Sequence, residues 1–129
     1  VALRACGLSR QKAATLRSVT RAVESAALGA AQLEPLTTAQ ATVRLTALEG
    51  VGPWTAGLVL LRGCGRLDVF PPGDVGAQRN LRALLGTGSE RRLRAAVARF
   101  GELRGYLYFC ALGASLIRKE LIGMPRETC

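Results

Sequence analysis

Residues 48–56 read LEGVGPWTA and place a sharp turn between two segments with helical spacing. Gly50 and Gly52 have no Cβ, so the backbone can turn tightly there and approach a neighbouring group closely. Pro53 suits the first turn of a helix, because the N–H that proline lacks would have no partner at that position. The stretch predicts a helix, a tight hairpin and a second helix at about residues 38–63.

The rest of the sequence also has helical periodicity. Ser9 is expected to cap a first helix that runs to about Gly29, and Thr37 or Thr38 to cap a second helix that leads into the hairpin. Further helices are predicted after Pro53, Asp74 and Ser89 and from Leu103, with a short one before Pro125. No segment reads as a pair of strands. The sequence therefore predicts an all-α, multi-helix domain.

The composition favours a polyanionic partner. The chain has 129 residues, and a hydrophobic content of 49% is enough for a buried core. The formal net charge is +9, from 18 basic and 9 acidic residues. All the basic residues except Lys12 and Lys119 are arginine, which pairs with phosphates and stacks on bases. The alternative is that the charge only keeps the protein in solution and reflects a genome composition biased towards Arg, Ala and Gly.

Several classes of protein and site are disfavoured. The four cysteines form no C-x-x-C pair, which argues against a zinc or iron–sulfur site, and Cys110 is expected to be a buried thiol. Histidine, the commonest general base and metal ligand, does not occur. No apolar run reaches the ~20 residues that span a bilayer, and no signal peptide is visible. We expect a soluble, intracellular protein, and Val1 in place of Met suggests a fragment of a longer one.

The hairpin is the first of two features that point to chemistry. The N–H groups at the start of the helix after Gly52 lack partners within that helix, and the helix dipole strengthens their attraction for an anion. A DNA phosphate would fit there without regard to base sequence. The alternative is that the turn only connects two helices.

Asp74 is the second feature. It follows Pro71, Pro72 and Gly73 and stands at the head of a predicted helix. Such an Asp can simply cap the helix. It can also hold a carboxylate where positive charge develops on a substrate. Neither feature decides between these possibilities alone.

Together, residues 48–56 (LEGVGPWTA), residues 68–71 (DVFP) and Asp74, which lies 22 positions after Gly52, resemble the helix-hairpin-helix/Gly-Pro-Asp superfamily of DNA glycosylases. Residues 8–13 (LSRQKA) and residues 104–106 (RGY) are more similar to the DNA-3-methyladenine glycosylase II group. The resemblance covers nearly the whole chain. It implies that residues 1–129 form a glycosylase domain that lacks its N-terminal helices, with the catalytic loop at residues 66–74.

The resemblance also implies roles for individual residues. Asp74 would be the catalytic carboxylate. The other implied roles are binding of the flipped base by Trp54 and Tyr106, contacts with DNA phosphates by Gly50, Gly52 and Thr55, and binding of a monovalent cation by the carbonyls of Leu48 and Val51. No cofactor is required. Members of the superfamily that also cleave the DNA backbone have a lysine where this chain has Trp54, so we expect base excision without lyase activity.

The expected function is that of a monofunctional DNA glycosylase. It would hydrolyse the N-glycosidic bond of alkylated purines in double-stranded DNA with damaged bases, as part of base-excision repair. We expect a monomer in the bacterial cytoplasm, associated with the nucleoid. Two alternatives stay open: a non-catalytic helix-hairpin-helix DNA-binding module, and a glycosylase of the same superfamily for oxidised or mismatched bases. The sequence also leaves open whether the fragment is active by itself.

Overall fold

The computed structural model describes residues 5–121, which are helical and contain no strand. The predicted all-α fold is thus confirmed. The chain divides into two compact units, with the boundary between Arg66 and Leu67. None of the helices in this range has both the length and the apolar character that crossing a membrane requires. The helix predicted before Pro125 lies outside the described residues.

The first unit contains the predicted hairpin. Its helices are α1 (Arg10–Glu24), α2 (Ala30–Leu33), α3 (Thr38–Thr46) and α4 (Pro53–Leu58), and α4 continues as a π-helical turn (Val59–Gly63). Ser9 and Thr37 are caps, as predicted: their hydroxyls accept the N–H of Lys12 and of Gln40, each at 3.3 Å. The Gln40 side chain in turn accepts the Thr37 N–H at 2.9 Å, which completes a capping box.

The first helix ends earlier than predicted. It stops at Glu24 rather than near Gly29, which instead is the N-cap residue of α2. Ala26 adopts the left-handed conformation, with φ +54°, and the Ala27 N–H donates back to the Ala22 carbonyl at 2.9 Å. Because alanine is the strongest helix former, no residue type marked this break in the sequence.

Two arginines stabilise the first unit by hydrogen bonds to its loops and helix ends. The Arg66 guanidinium donates to the Leu33 carbonyl at 2.6 Å and to the Thr38 hydroxyl at 3.3 Å. The Arg44 guanidinium donates twice to the Ala27 carbonyl, at 2.7 and 3.2 Å. The Leu33 carbonyl lies at the end of α2, where carbonyls lack partners within the helix, and Arg66 supplies that partner; the Ala27 carbonyl lies in the loop between α1 and α2. The buried apolar side chains include Ala41, Leu45, Ala56, Leu60 and Leu61.

The second unit contains Asp74. Its helices are α5 (Val75–Leu85), α6 (Glu90–Arg99) and α7 (Arg104–Arg118), and a 3₁₀ turn (Gly101–Leu103) precedes α7. Asp74 caps α5 and Ser89 caps α6, as predicted. The strongly apolar α7 packs against both α5 and α6, which confirms its predicted central position within this unit. The core consists of Leu81, Leu93, Leu107 and Ala111, with Phe70 and Val97 packed against it.

The expectation that Cys110 is buried is wrong. Its thiol is free and exposed. The buried face of α7 includes Leu107, Tyr108, Ala111 and Ser115, and Cys110 lies outside this face. Apolar neighbours in sequence did not predict burial, because successive residues of a helix point about 100° apart.

Candidate active site

The hairpin is closed by a single backbone hydrogen bond. The Val51 N–H donates to the Leu48 carbonyl at 3.1 Å. Gly50 occupies the third position of this four-residue turn with φ +77°, a left-handed conformation that glycine adopts without strain. The Val51 side chain is buried and anchors the turn to the first unit.

The two hairpin glycines have different surroundings. A Cβ on Gly50 would lie 1.9 Å from Oγ1 of Thr15 on α1 and 3.0 Å from the Thr15 Cβ. Gly50 therefore allows α1 to pack closely against the turn, which sequence reasoning did not foresee. A Cβ on Gly52 would meet nothing within 4 Å, and its φ of −90° is open to any residue. The absence of a side chain at residue 52 leaves space beside the start of α4.

The first turn of α4 has the polarity that an anion needs. Gly52 is its N-cap and makes no side-chain capping bond, and the turn contains no acidic residue. The positive end of the helix dipole is therefore not neutralised by the turn itself. Thr55 is half-buried in this turn, and the Trp54 side chain is 47% exposed.

The predicted cation site has donors of a suitable kind. Backbone carbonyl oxygens are hard ligands of the type that such cations prefer. The Leu48 oxygen already accepts the Val51 N–H and keeps a second lone pair. Binding of a monovalent cation by the Leu48 and Val51 carbonyls stays a prediction. Within residues 5–121, no group of three or more His, Cys, Asp or Glu side chains could hold a metal.

Asp74 is fixed at the N-terminus of α5. Its Oδ1 accepts the Ala77 N–H at 2.8 Å, and its backbone carbonyl accepts the Gln78 N–H at 2.9 Å. The helix dipole favours a negative charge at this position. A Cβ on Gly76 would lie 3.3 Å from Asp74 Oδ1, so glycine at residue 76 keeps the space beside the carboxylate clear.

Asp74 faces a cavity of about 150 Å³ within the second unit. Its lining residues are Asp74, Gly76, Ala77 and Asn80 from the start of α5 and Tyr108 and Leu112 from α7. Asp74, Ala77 and Asn80 are spaced three residues apart, and Tyr108 and Leu112 four apart, so each helix contributes one face. The Tyr108 ring makes edge-on contacts with the rings of Phe70 and Phe109, at centroid distances of 6.1 and 5.6 Å, which define its position.

The predicted residues are distributed between the two units. The hairpin residues and Trp54 belong to the first unit, and Asp74 and Tyr106 belong to the second. Tyr106 is 50% exposed and is not among the residues that line the Asp74 cavity. It lies two positions before Tyr108 on α7, so the two rings leave the helix in nearly opposite directions.

Sequence reasoning did not identify Asn80, Tyr108 or Leu112 as candidates. The only signal available was their spacing: Asn80 follows Gly76 by four positions, and Leu112 follows Tyr108 by four. That spacing places residues on one face of a helix but does not say which two faces meet. The packing of α5 against α7 supplies that information.

The chain is similar to proteins that are named as a DNA repair enzyme and as a DNA glycosylase. It is 40% identical, over 63 residues, to the probable bifunctional transcriptional activator/DNA repair enzyme AlkA of Mycobacterium tuberculosis; the match covers 49% of this chain and 13% of that protein. It is 32% identical, over 83 residues, to DNA-3-methyladenine glycosylase 1 of Schizosaccharomyces pombe, with coverage of 64% and 36%. The sequence matches no protein-family model.

A solved structure agrees with these relatives. The crystal structure of DNA-3-methyladenine glycosidase from Bacillus halodurans superposes with a TM-score of 0.73 and 32% sequence identity. The match covers 92% of this chain and 57% of that protein. The chain is a relative of the helix-hairpin-helix/Gly-Pro-Asp glycosylases of the 3-methyladenine type. It spans 36% or less of the two curated relatives described above.

Proposed function

We propose that the chain is the catalytic and DNA-contacting part of a monofunctional DNA glycosylase that removes alkylated purines from double-stranded DNA. The observation that carries this proposal is the Asp74 carboxylate, which is held by a helix cap at the wall of a cavity. The names of the relatives support the reaction, since they include two 3-methyladenine glycosylases or glycosidases. Such an activity belongs to base-excision repair.

Asp74 supplies charge stabilisation in this reaction. The damaged nucleotide leaves the base stack and enters the enzyme, at a cost of a few kcal/mol of stacking. As the bond between C1′ and the base nitrogen breaks, its electron pair leaves with the base and positive charge develops on the sugar. A carboxylate fixed beside C1′ stabilises that charge. Water then adds to C1′, and its proton passes to the carboxylate or to solvent.

Trp54 supports the choice of an alkylated purine. Its indole is 47% exposed on the first turn of α4. An alkylated purine carries positive charge, which is attracted to an indole face. Such a base is also a good leaving group already, so that a strong general acid is not needed, in keeping with a chain that has no histidine.

The hairpin provides the contacts with the DNA phosphates. The first turn of α4 has an open approach beside Gly52 and no acidic residue, which suits a phosphate. Gly50, Gly52 and Thr55 are the residues that we assign to this contact. Because phosphate contacts position the protein without reading bases, the partner is duplex DNA of any sequence that contains a damaged base.

The proposal is tested by base release from methylated duplex DNA. The whole protein that carries this chain is compared with its Asp74→Asn variant. Asparagine caps a helix about as well as aspartate, so the variant should keep α5 and lose only the charge. We expect the wild type to release methylated purines, and the variant to release them at least about 100-fold more slowly while binding DNA as before.

Other outcomes would contradict the proposal in different ways. A wild type that binds duplex DNA but releases no methylated purine would favour a binding module, or a glycosylase for oxidised or mismatched bases. A panel of damaged duplexes separates these two. An Asp74→Asn variant with full activity would leave the carboxylate as a helix cap only.

A further inference from the structure

We propose that the second unit has a docking cleft for the C-terminus of a partner protein, where an apolar side chain enters the cleft and Arg104 binds the terminal carboxylate. We call it the α6 cleft, because α6 forms one of its walls. It shares no lining residue with the Asp74 cavity, so the inference goes beyond the proposed function. The lining of the α6 cleft includes Phe70, Glu90, Leu93, Arg94, Val97 and Arg104.

The floor of the α6 cleft is apolar. Leu93 is buried in the core of the unit, and Phe70 and Val97 are half-buried and pack against that core. The cleft has a volume of about 260 Å³, whereas an engineered cavity of about 150 Å³ holds one benzene molecule. One aromatic or branched aliphatic side chain therefore fits, with room for a charged group beside it.

Arg104 is held in place beside this floor. It is the first residue of α7, and its Nε donates to the Gly101 carbonyl at 2.7 Å. Its two terminal nitrogens make no hydrogen bond within residues 5–121. A guanidinium that one bond already fixes loses less conformational freedom when it binds an anion through its other donors. Arg104 is therefore well placed to bind a carboxylate through two parallel hydrogen bonds.

The charge of the α6 cleft favours an anion. The Arg94 side chain is 78% exposed, and its ion pair with Glu90 is loose, at 3.8 Å. The Glu90 carboxylate accepts a hydrogen bond from Arg82, which does not line the cleft, and its negative charge is thereby offset. Arg94 and Arg104 remain as two cations beside the apolar floor.

These features together select the kind of partner. A DNA phosphate would meet the two cations but leave the apolar floor in contact with water. An uncharged apolar side chain would cover the floor but leave the cations without a partner. Because the cleft is small, the apolar group and the anion must be close together. The last residue of a polypeptide carries both on one Cα, and capture of a terminal carboxylate is a recurring mode of peptide recognition.

The probe for the α6 cleft is N-acetyl-phenylalanine, which has the side chain and the free carboxylate of a C-terminal residue. Its two matched controls are N-acetyl-phenylalanine amide, which lacks the charge, and N-acetylglycine, which lacks the apolar side chain. An NMR titration measures their binding to the whole protein that carries this chain. We expect a dissociation constant on the order of 1 mM for the probe, and at least about tenfold weaker binding of each control.

Three variants locate the bound probe. Arg104→Gln should bind it about tenfold more weakly, the weight of hydrogen bonds to a charged group. Arg91→Gln removes the same charge from an exposed position of α6 outside the cleft, so its affinity should not change. Ala98→Leu fills the cleft from an exposed helical position and should abolish binding. Since leucine is a good helix former, this variant should keep the wild-type stability, which thermal unfolding checks, and the wild-type rate of base release.

Four results would overturn the inference. The first is a probe that does not bind, and the second is equal binding of the probe and its amide. The third is unchanged binding of the probe by both Arg104→Gln and Ala98→Leu. The fourth is tighter binding of N-acetyl-phenylalanyl-aspartic acid α-amide, whose carboxylate is in a side chain, because the partner segment would then be internal rather than C-terminal.

DNA is the competing occupant. If the probe does not bind and Arg104→Gln weakens binding to undamaged duplex DNA, the α6 cleft is a phosphate contact instead. None of these measurements involves Asp74, so base release tests the proposed function separately.

Discussion

Gly50 and Gly52 show that one residue type can be required for different reasons within three positions. Gly50 combines a left-handed backbone with a contact to Thr15 that no Cβ could enter. Gly52 has an ordinary backbone conformation and open space around it. The first glycine is explained by the packing of α1 on the hairpin. The second is explained by access to the start of α4.

This difference predicts unequal effects of alanine substitution on stability. Gly50→Ala should lower the free energy of unfolding by about 2–4 kcal/mol, from left-handed strain and overpacking together. Gly52→Ala should lower it by less than about 1 kcal/mol, because only a weak N-cap preference is lost. Urea unfolding midpoints measure both. Adding Thr15→Ala to Gly50→Ala should restore part of the lost free energy of unfolding. If the two glycine substitutions lowered stability equally, the packing of Thr15 on Gly50 would not be the reason for the glycine at residue 50.

Trp54 leads to a prediction about the chemistry. With an indole at this position there is no amine to form a Schiff base with the sugar, so borohydride should trap no covalent adduct between the protein and methylated DNA. Denaturing electrophoresis after reduction detects such an adduct. An adduct that disappears in Lys12→Ala, and persists in the control Lys119→Ala, would show lyase chemistry from Lys12 and contradict the monofunctional mechanism.

At the scale of elements, α3 depends on its cap. This helix has nine residues and leads into the hairpin, and helices of this length are marginal without outside support. Thr37 and Gln40 satisfy each other's backbone N–H groups at its start. The capping box therefore holds the helix that positions the hairpin turn.

Removal of this cap should have a measurable effect. We expect Thr37→Ala to lower the free energy of unfolding by about 1 kcal/mol. The control Thr37→Ser keeps the hydroxyl, so its free energy of unfolding should stay within a few tenths of a kcal/mol of the wild-type value. Thermal or urea unfolding gives both values. If serine and alanine at residue 37 behaved alike, the hydroxyl would not be the stabilising group.

At the scale of the whole molecule, the charge of +9 is not all available to DNA. Arg44 and Arg66 donate to carbonyls of their own unit. Arg10, Arg17 and Arg21 on α1 are exposed. The total charge makes binding to a polyanion favourable, but the structure separates arginines that stabilise the fold from arginines that can meet phosphates.

Affinity for undamaged duplex DNA should therefore fall steeply with salt, as counterions are released from the DNA. Arg17→Gln should reduce the slope of log K against log salt by about one if this residue contacts a phosphate, with unchanged stability. Arg66→Gln should keep the slope and lower the unfolding free energy by about 1–2 kcal/mol, through its lost carbonyl bond. Affinity that does not depend on salt would argue against phosphate binding at the hairpin.

The starts of several helices could be predicted from single capping residues. Ser9, Thr37, Asp74 and Ser89 all cap helices as predicted, because a cap is a local interaction between a side chain and an N–H three positions later. The break at Ala26 could not be predicted. At this break Ala26 adopts a left-handed backbone conformation, although alanine is a strong helix former.

The sequence by itself determined the all-α fold, the hairpin between α3 and α4, and the place of Asp74 at the head of α5. Helical periodicity, caps and glycine turns depend on interactions over a few residues, and they can therefore be predicted from a single sequence. Only the tertiary structure decided that Thr15 packs on Gly50, and that Asn80 and Tyr108 share a cavity with Asp74. Thr15 and Gly50, and Tyr108 and Asp74, are far apart in the chain, and their proximity depends on which helix faces pack together rather than on local preference.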